Sequence, residues 1–332
     1  MNTPVLVTGA SGFLGGNLTR LLIAQGQAVR VLARPSSNLA CLADLPGWQR
    51  FPGDVTQPES LAVALQGVEV VYHCAARVEM PRFMTPAIWE VNVEGTKNLL
   101  QACRAAGVRR LVYCSTVDAL GLPEGDQPAN EDTPWNWDRL GVENAYARSK
   151  YEAHCRVKQA ARDGLDAVMV CPTFMLGAYD PHPSSGRLIQ QVARSPFRLD
   201  PGGGNNFVDV LDVARTMISA AECGRRGETY ILGGHNLPYA EIQGMIHRAL
   251  GRRPALRLRL PPALLKVTGK VGDAYETLTG HPAELNTPLA RLSRIRHAYD
   301  SSKAHRELGL QTSSLPAALE RAIHWLREAG ML

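Results

Sequence analysis

The chain has 332 residues, of which 45% are hydrophobic and 20% charged, and its formal net charge is +5. A chain of this size and composition buries a sizeable core, which excludes a disordered protein and predicts one large domain or two intermeshed domains. The basic residues are scattered and form no long run, so a nucleic-acid partner is not expected.

The cysteines and the N-terminus bear on the cellular compartment. There are seven cysteines without a C-x-x-C pair, which predicts free thiols and neither a disulfide framework nor a metal site. Most lie within apolar runs, so we expect them to be buried. No charged segment precedes the first apolar run, and no apolar stretch is long enough to span a membrane. We therefore expect a cytoplasmic protein.

The first predicted unit is a strand, a tight turn and a helix within residues 4–22. Its glycines at 9, 12 and 15 have the spacing GxxGxxG. The first glycine lets the chain leave the strand, the second lets a pyrophosphate approach, and the third lets the helix pack closely. The helix start then offers N–H groups to phosphates. The cofactor-contacting residues expected here are Gly9, Ser11, Gly12, Phe13 and Leu14.

The second predicted strand, residues 28–33, ends at Arg34. A fold that binds NAD places an acidic residue about 20 residues beyond the glycines. Here that position holds Arg34, followed by Ser36 and Ser37, and we expect no carboxylate nearby. A guanidinium suits the extra phosphate of NADP, so the pattern favours NADP over NAD. The alternative is an exposed arginine without a ligand.

The next two strand ends also carry expected cofactor contacts. Asp54 and Val55 follow a short extended segment and precede a helix, for which Thr56 is the expected N-cap. A later apolar strand finishes in Ala75 and Ala76, whose small side chains leave room for a cofactor. Strands and helices alternate throughout, which predicts an α/β fold with a doubly wound parallel sheet.

The chemistry of the chain is expected where a fifth strand meets a later helix. The strand at 110–114 ends at Ser115 and Thr116, and the helix carries Tyr146 and Lys150 four residues apart. Side chains at this spacing share one helix face, and the ammonium stabilises the phenolate. Thr116, or less favourably Ser115, would hydrogen-bond a substrate carbonyl. An exposed helix face without function is the alternative for the Tyr-x-x-x-Lys pair.

A polar loop precedes that helix and contains Trp135 and Trp137. We expect these side chains to pack the loop, and a lid over the substrate is the alternative. The segment 256–272 is both apolar and basic, and we interpret it as a strand followed by a helix. Contact with a lipid surface or with a hydrophobic substrate is the alternative for this segment.

The motifs TGASGFLG, GDVTQPESL, HCAA, VNVEGT, CST and YARSK occur in this order. Together they closely resemble the extended short-chain dehydrogenase/reductase family, the NAD-dependent epimerase/dehydratases. GRLIQQV and GETYILGGHNL are similar to its dihydroflavonol reductase-like branch, which includes hopanoid-associated sugar epimerases. The resemblance implies that Tyr146 donates a proton, Lys150 binds the ribose, Thr116 is the hydroxyl partner and Pro172 lies beside the nicotinamide. It also implies a Rossmann fold and a homodimer.

One departure from the family pattern concerns the substrate. Many sugar-nucleotide enzymes of this family carry an Arg-Asp pair where this chain has Asn205-Asn206. An amide does not replace the charge or the fork of a guanidinium, which disfavours a nucleotide sugar. The arginines that would compensate are Arg187, Arg194 and Arg198.

These expectations combine into one domain organisation and one preferred function. Residues 1–173 form a dinucleotide-binding Rossmann domain to which 205–223 returns, and residues 174–204 and 224–332 form a smaller, partly helical substrate domain. We expect an NADPH-dependent carbonyl reductase acting on a small molecule. The alternatives are a nucleotide-sugar epimerase or dehydratase that reduces its bound cofactor transiently, and a non-catalytic NADPH-binding protein.

Overall fold

A central parallel sheet organises the computed structural model, which describes residues 3–125, 127–183, 185–253 and 256–332. Within these residues the sheet has seven strands, which in spatial order are β3 (Trp48–Pro52), β2 (Val29–Ala33), β1 (Val5–Thr8), β4 (Val70–His73), β5 (Arg110–Cys114), β6 (Ala167–Pro172) and β10 (Thr229–Leu232). The strand order reverses between β1 and β4, which is where doubly wound sheets bind ligands. The predicted fold class is confirmed.

Helices cover both faces of this sheet. One face packs against α1 (Phe13–Ala24), α7 (Val210–Cys223) and α11 (Ser302–Leu308), and the other against α2 (Pro58–Ala64), α4 (Gly95–Ala105) and α5 (Ala145–Arg162). A short helix α3 (Pro86–Trp89) and a π-helical turn (Glu90–Glu94) lead into α4. Alternate strand residues supply the two cores, as Val5 and Val7 point to one and Leu6 to the other.

A second layer of elements lies beyond β6. Its strands are β7 (Phe174–Leu176), β9 (Gly204–Asp209) and β11 (His235–Pro238) in one sheet, and β8 (Arg198–Asp200) and β12 (Arg257–Arg259) in another. Its helices are α6 (Gly186–Arg194), α8 (Tyr239–Ala249), α9 (Pro262–Thr279), α10 (Thr287–Leu292) and α12 (Leu315–Glu328). Helices α6, α8 and α12 share a separate hydrophobic core with Phe207.

Strand pairing differs from the sequence expectation in two places. The segment 205–223 returns to the central sheet only through α7, because β9 pairs with β7 and β11. Conversely, β10 lies within 224–332 but completes the central sheet beside β6. The reason is burial: all four residues of β10 are buried, as in a parallel strand covered on both faces.

Smaller corrections concern α2 and the cysteines. Helix α2 begins at Pro58 with Gln57 as N-cap, because proline suits the first helical position. Thr56 instead donates its N–H and its hydroxyl to Asp54 Oδ1, both at 3.0 Å. The cysteines are free, as expected, but only Cys103 and Cys171 are buried.

The tryptophan loop packs against the fold, as the sequence predicts. Trp137 is fully buried and its Nε1 donates to Leu120 O at 2.8 Å. Trp135 lies between Trp137 and Tyr151, with ring centroids 5.7 and 4.3 Å away. Both rings therefore serve the packing of the loop. In the described part of the chain, no helix combines the length and apolarity that a membrane span requires.

Candidate functional site

The carboxyl ends of β1, β4, β5 and β6 meet at one edge of the central sheet. Gly9, Ala75 and Thr116 lie just beyond β1, β4 and β5, and Pro172 is the last residue of β6. Helix α5 packs against the turn that follows Thr116, which brings Tyr146 to the same edge. The residues that the sequence singled out therefore converge, although they come from distant segments.

The glycine turn has the close contacts that its spacing predicts. Gly9 has a φ of +76°, and a Cβ there would lie 2.6 Å from the backbone nitrogen of Ala75. A Cβ at Gly15 would lie 2.2 Å from Gly9 O, so α1 starts directly against the turn. At Gly12 a Cβ would meet only Gly9 O within 4 Å, at 3.4 Å, and no side chain caps α1. Open space beside uncapped amides fits a pyrophosphate.

The loop after β4 is tied to β1 beside this turn. Ala75 N donates to Thr8 Oγ1 at 3.2 Å, and the same hydroxyl lies 2.7 Å from His73 Nδ1. Burial lowers the pKa of His73 to about 3, so its ring is neutral and holds the threonine. Ala75 and Ala76 are half-buried and border the glycine turn. Their small side chains keep this part of the cleft open.

Two arginines, Arg34 after β2 and Arg50 within β3, lie together. The Arg34 side chain is 64% exposed, and its Nε lies 3.8 Å from Asp54 Oδ2, so the expectation that no carboxylate is nearby is wrong. Arg50 on β3 donates to the carbonyls of Arg34 and of Pro35, the latter at 2.9 Å. The sequence did not reveal Arg50, because only strand pairing places β3 beside β2. The two guanidiniums and Asp54 form the polar rim of the cleft.

Tyr146 and Lys150 lie in the first turns of α5, and both are buried, with 8% and 3% of their surface exposed. Asn144 caps this helix by accepting the N–H of Ala147 at 3.0 Å. Lys150 Nζ donates to Cys114 O at 2.7 Å and lies 4.6 Å from the centroid of the Tyr113 ring. The ammonium is thus fixed to the end of β5.

The ionisation of Tyr146 and Lys150 differs in part from the expectation that the ammonium stabilises the phenolate. Burial raises the pKa of the Tyr146 phenol, and the Lys150 ammonium lowers it by less, so the net shift is upward. Burial acts to lower the pKa of Lys150, but Tyr113 and Tyr146 raise it, and the net shift is again upward. At neutral pH the site therefore holds a protonated phenol beside an ammonium. A protonated phenol is equipped to give a proton.

The two hydroxyls after β5 have different surroundings. Ser115 is buried, and its Oγ lies 2.9 Å from His154 Nδ1 on the core side. Thr116 is half-buried, and its Oγ1 accepts the N–H of Asp118 at 3.2 Å. Accepting one hydrogen bond leaves the Thr116 hydroxyl proton available for a ligand. This favours Thr116 over Ser115 as the hydroxyl partner.

Asp118 is a residue of this site that sequence reasoning missed. It lies two residues after Thr116, and its charge is coupled to the phenols of Tyr146, Tyr239 and Tyr299. Burial raises the pKa of its carboxyl to about 6. In the described part of the chain no hydrogen bond or ion pair reaches this carboxylate. A carboxyl within the short turn after the strand was the available signal.

Asn92 positions the site without being among the predicted contacts. From the π-helical turn its Oδ1 accepts Arg77 N at 2.7 Å, and its Nδ2 donates to Ser149 Oγ at 2.9 Å. Ser149 in turn donates to Tyr146 O at 2.8 Å. This chain of bonds joins the loop after β4 to α5. In the sequence, the only sign of this role of Asn92 was a polar residue within the apolar VNV triplet.

The model of the NAD dependent epimerase/dehydratase family matches residues 5–233. The chain belongs to this family. As an epimerase/dehydratase-family protein it is an NAD(P)-dependent enzyme of the extended short-chain dehydrogenase/reductase type. The sequence resemblance is thereby confirmed.

Three similar proteins illustrate the range of the epimerase/dehydratase family. "Sterol demethylase protein B" of Methylococcus capsulatus is 36% identical over 98% of this chain and 99% of its own. A "Putative dihydroflavonol 4-reductase" of Synechocystis is 34% identical over 98% of this chain and 94% of its own. The crystal structure of gox2253 superposes with a TM-score of 0.85, at 33% identity over 100% of both chains.

The asparagine pair is where this member departs from the family pattern. Asn206 is fully buried, accepts Thr173 Oγ1 at 2.8 Å and donates to Asn236 Oδ1 at 2.8 Å. Asn206 therefore holds β9 against β11, which is a structural role. Of the arginines considered as substitutes, Arg187 and Arg194 are exposed on α6, and Arg198 donates to Ala240 O at 3.4 Å.

Proposed function

We propose that the protein is an NADPH-dependent carbonyl reductase. The observation that carries this proposal is the buried, protonated Tyr146 phenol beside the Lys150 ammonium, on the helix that packs against the turn after Thr116. When bound, the dinucleotide supplies the hydride that reaches the carbonyl carbon. Tyr146 gives its proton to the carbonyl oxygen, and Thr116 donates a hydrogen bond to the same oxygen. Lys150 binds the ribose and stabilises the phenolate that remains.

The same proposal assigns the binding residues and the surroundings of the enzyme. The glycine turn, Ala75, Ala76 and Pro172 would line the pyrophosphate and nicotinamide part of the cleft, and Arg34, Asp54 and Val55 the adenosine part. Residues 174–204 and 224–332 would bind the substrate. The free cysteines support a reducing, cytoplasmic location. We propose a homodimer as the working form.

The reductase proposal is tested by following NADPH absorbance with a panel of flavonoid, steroid, β-keto and sugar carbonyls. We expect at least one carbonyl to be reduced with stoichiometric loss of NADPH. The name of the Synechocystis relative, "Putative dihydroflavonol 4-reductase", supports this expectation. Conversion of a nucleotide sugar without net change in absorbance would contradict it.

A nucleotide-sugar epimerase or dehydratase is the second candidate, and Asp118 is the observation that favours it. Lyases and some isomerases move a proton in addition to the hydride, which needs a second acid or base. A carboxyl with a pKa near 6, coupled to the Tyr146 phenol, has the properties of such a group. Asn205 stands where the family pattern has its arginine, and the lack of a guanidinium at this position speaks against a diphosphate there.

Substituting Asp118→Asn is expected to change both the pH profile and the stability. Burial raises the folded pKa from 3.8 to about 6. The charged carboxylate therefore destabilises the folded protein above pH 6, and this penalty disappears as the pH falls below the unfolded pKa. At pH 8 the variant should be more stable by up to about 3 kcal/mol, and at pH 3.5 the difference should vanish.

Thermal unfolding across this pH range measures the effect, with Asp138→Asn at an exposed loop position as control. In kcat/KM, an inflection near pH 6 in the wild type should be missing in the Asp118 variant. An unchanged inflection would show that another group titrates there.

Replacing Arg34 with Asp is expected to weaken the binding of NADPH relative to that of NADH by ~10-fold to 100-fold. The reason is that one charge-assisted hydrogen bond to the cofactor is lost. The ratio of Kd values from nicotinamide fluorescence measures this preference. Arg226→Asp, at an exposed position far along the chain, controls for the change in net charge. If Arg34→Asp leaves the ratio unchanged, the assignment of NADP loses its basis.

A further inference from the structure

Helix α9 carries an apolar stripe that faces away from the protein. The stripe consists of Leu264, Val267, Val271, Tyr275 and Leu278, which are between 48% and 85% exposed. Their spacings of 3, 4, 4 and 3 residues place all five on one side of an α-helix. Scattered apolar residues on a surface are ordinary, but a continuous stripe along four turns marks an interaction surface.

The inward face of the same helix explains why the large residues point outward. Only Leu265, Gly269 and Gly272 are buried along α9. A Cβ at Gly272 would lie 1.9 Å from Leu285 O, and one at Gly269 would lie 3.1 Å from the Cβ of Ala290. The helix therefore packs on its neighbour through small residues, at backbone distance. No room remains on this face for the leucine and valine side chains.

The charges of α9 are divided between the two faces. The acidic residues face inward: Asp273 accepts Thr287 N at 2.9 Å, and Glu276 accepts Asn286 Nδ2 at 3.0 Å. Lys266 and Lys270 are exposed beside the stripe. Among the described residues, no carboxylate lies within ion-pair distance of either ammonium. The outward surface of the helix itself is thus apolar and positively charged, and the one carboxylate residue among the described residues that line the surface cavity beside Val271 and Tyr275 is Glu284 of the neighbouring segment.

The stripe is connected to the cleft through one short segment. Arg82 N donates to Glu276 Oε2 at 3.1 Å, and Ala145 N, next to Tyr146, donates to Pro81 O at 3.1 Å. Phe83, which follows Arg82 directly in the chain, is 62% exposed. Whatever covers the stripe therefore lies near the side of the cleft where α5 begins.

We propose that the outward face of α9 docks on the surface of an anionic lipid bilayer. The apolar stripe inserts into the headgroup region, Tyr275 lies at the polar boundary, and Lys266 and Lys270 contact lipid phosphates. The complementarity of charge selects a bilayer over a second copy of the chain, because pairing two such faces would bring lysines together. The docking proposal does not rest on the reductase proposal, because its observations concern only the outward face of α9.

The test is flotation of the full-length protein with vesicles of phosphatidylcholine, alone or mixed with phosphatidylglycerol. We expect binding to the mixed vesicles and at least ~10-fold weaker binding to neutral ones. Lys266→Glu with Lys270→Glu should reduce binding to the mixed vesicles by ~10-fold or more. Val267→Ser with Val271→Ser should have a similar effect through the lost apolar contact.

Matched controls keep the outcome specific to α9. Arg226→Glu tests a general loss of positive charge, and Val63→Ser replaces an exposed valine on α2 that is 56% exposed. Thermal unfolding and NADPH binding show that each variant is folded. The proposal is overturned if the wild type does not float, or if the controls lose as much binding as the α9 variants. It is also overturned if the valine variant changes the oligomeric state and not the vesicle binding.

Discussion

Tyr146→Phe is expected to lower kcat/KM for carbonyl reduction by ~10²-fold to 10⁴-fold, the usual contribution of a positioned general acid. The change removes one oxygen from a phenol that is 8% exposed and keeps the ring that packs in the cleft. Because the Lys150 ammonium stays bound to Cys114 O at 2.7 Å, the affinity for NADPH should change little. Steady-state kinetics and fluorescence titration with NADPH measure the two quantities.

Tyr151→Phe is the matched control, because Tyr151 lies on the same helix and its ring packs against Trp135. This control should retain activity within about threefold, as expected for a hydroxyl outside the reaction. Wild-type turnover by a folded, NADPH-binding Tyr146→Phe would refute the mechanism. Loss of turnover in both variants would point to disturbed packing of α5. A protein without any carbonyl turnover that still binds NADPH would fit the non-catalytic alternative.

Gly9→Ala is expected to reduce the free energy of unfolding by about 2–5 kcal/mol and to abolish measurable NADPH binding. The positive φ of +76° costs an L-residue about 1–2 kcal/mol. The added Cβ would also lie 2.6 Å from the Ala75 backbone, which forces the loop after β4 away from the turn. Thermal or denaturant unfolding and NADPH titration measure the two effects.

Gly26→Ala separates the two causes, because Gly26 has the same φ of +76° but a Cβ there meets nothing within 4 Å. We expect this control to show the backbone cost alone and to bind NADPH normally. If the two variants behaved alike, the contact between the glycine turn and the loop after β4 would contribute neither to the free energy of unfolding nor to NADPH binding.

The local elements were predictable because their signals are local. The glycine spacing marked the first turn, the apolar runs marked β5 and β6, and a four-residue spacing placed Tyr146 and Lys150 on one helix face. The pairing of β9 and β10 was not predictable in this way. Each strand contains only a short apolar stretch, Phe207 and Val208 in β9 and Tyr230 to Leu232 in β10. The two strands enter different sheets because of contacts with distant segments, such as those of Asn206 with Thr173 and Asn236.

The residues of the site also divide into those that local sequence patterns predict and those that they do not. The candidates Thr116, Tyr146 and Lys150 follow from residue type, spacing and family resemblance. Arg50, Asn92 and Asp118 were missed, because the partners of Arg50 and Asn92 and the burial of Asp118 depend on segments that are remote in sequence. The pKa of Tyr146 was also beyond reach, because burial outweighs the effect of Lys150. Depth of burial is a property of the packed chain and not of the four-residue spacing.

The sequence by itself determined the family, the parallel α/β fold and the short list of chemical groups, since these depend on residue types at fixed local spacings. Only the tertiary structure decided which groups face one another, which phenol keeps its proton and which apolar residues of α9 remain outside. Those outcomes depend on solvent exclusion and on contacts between segments far apart in the chain. Both arise when the chain packs.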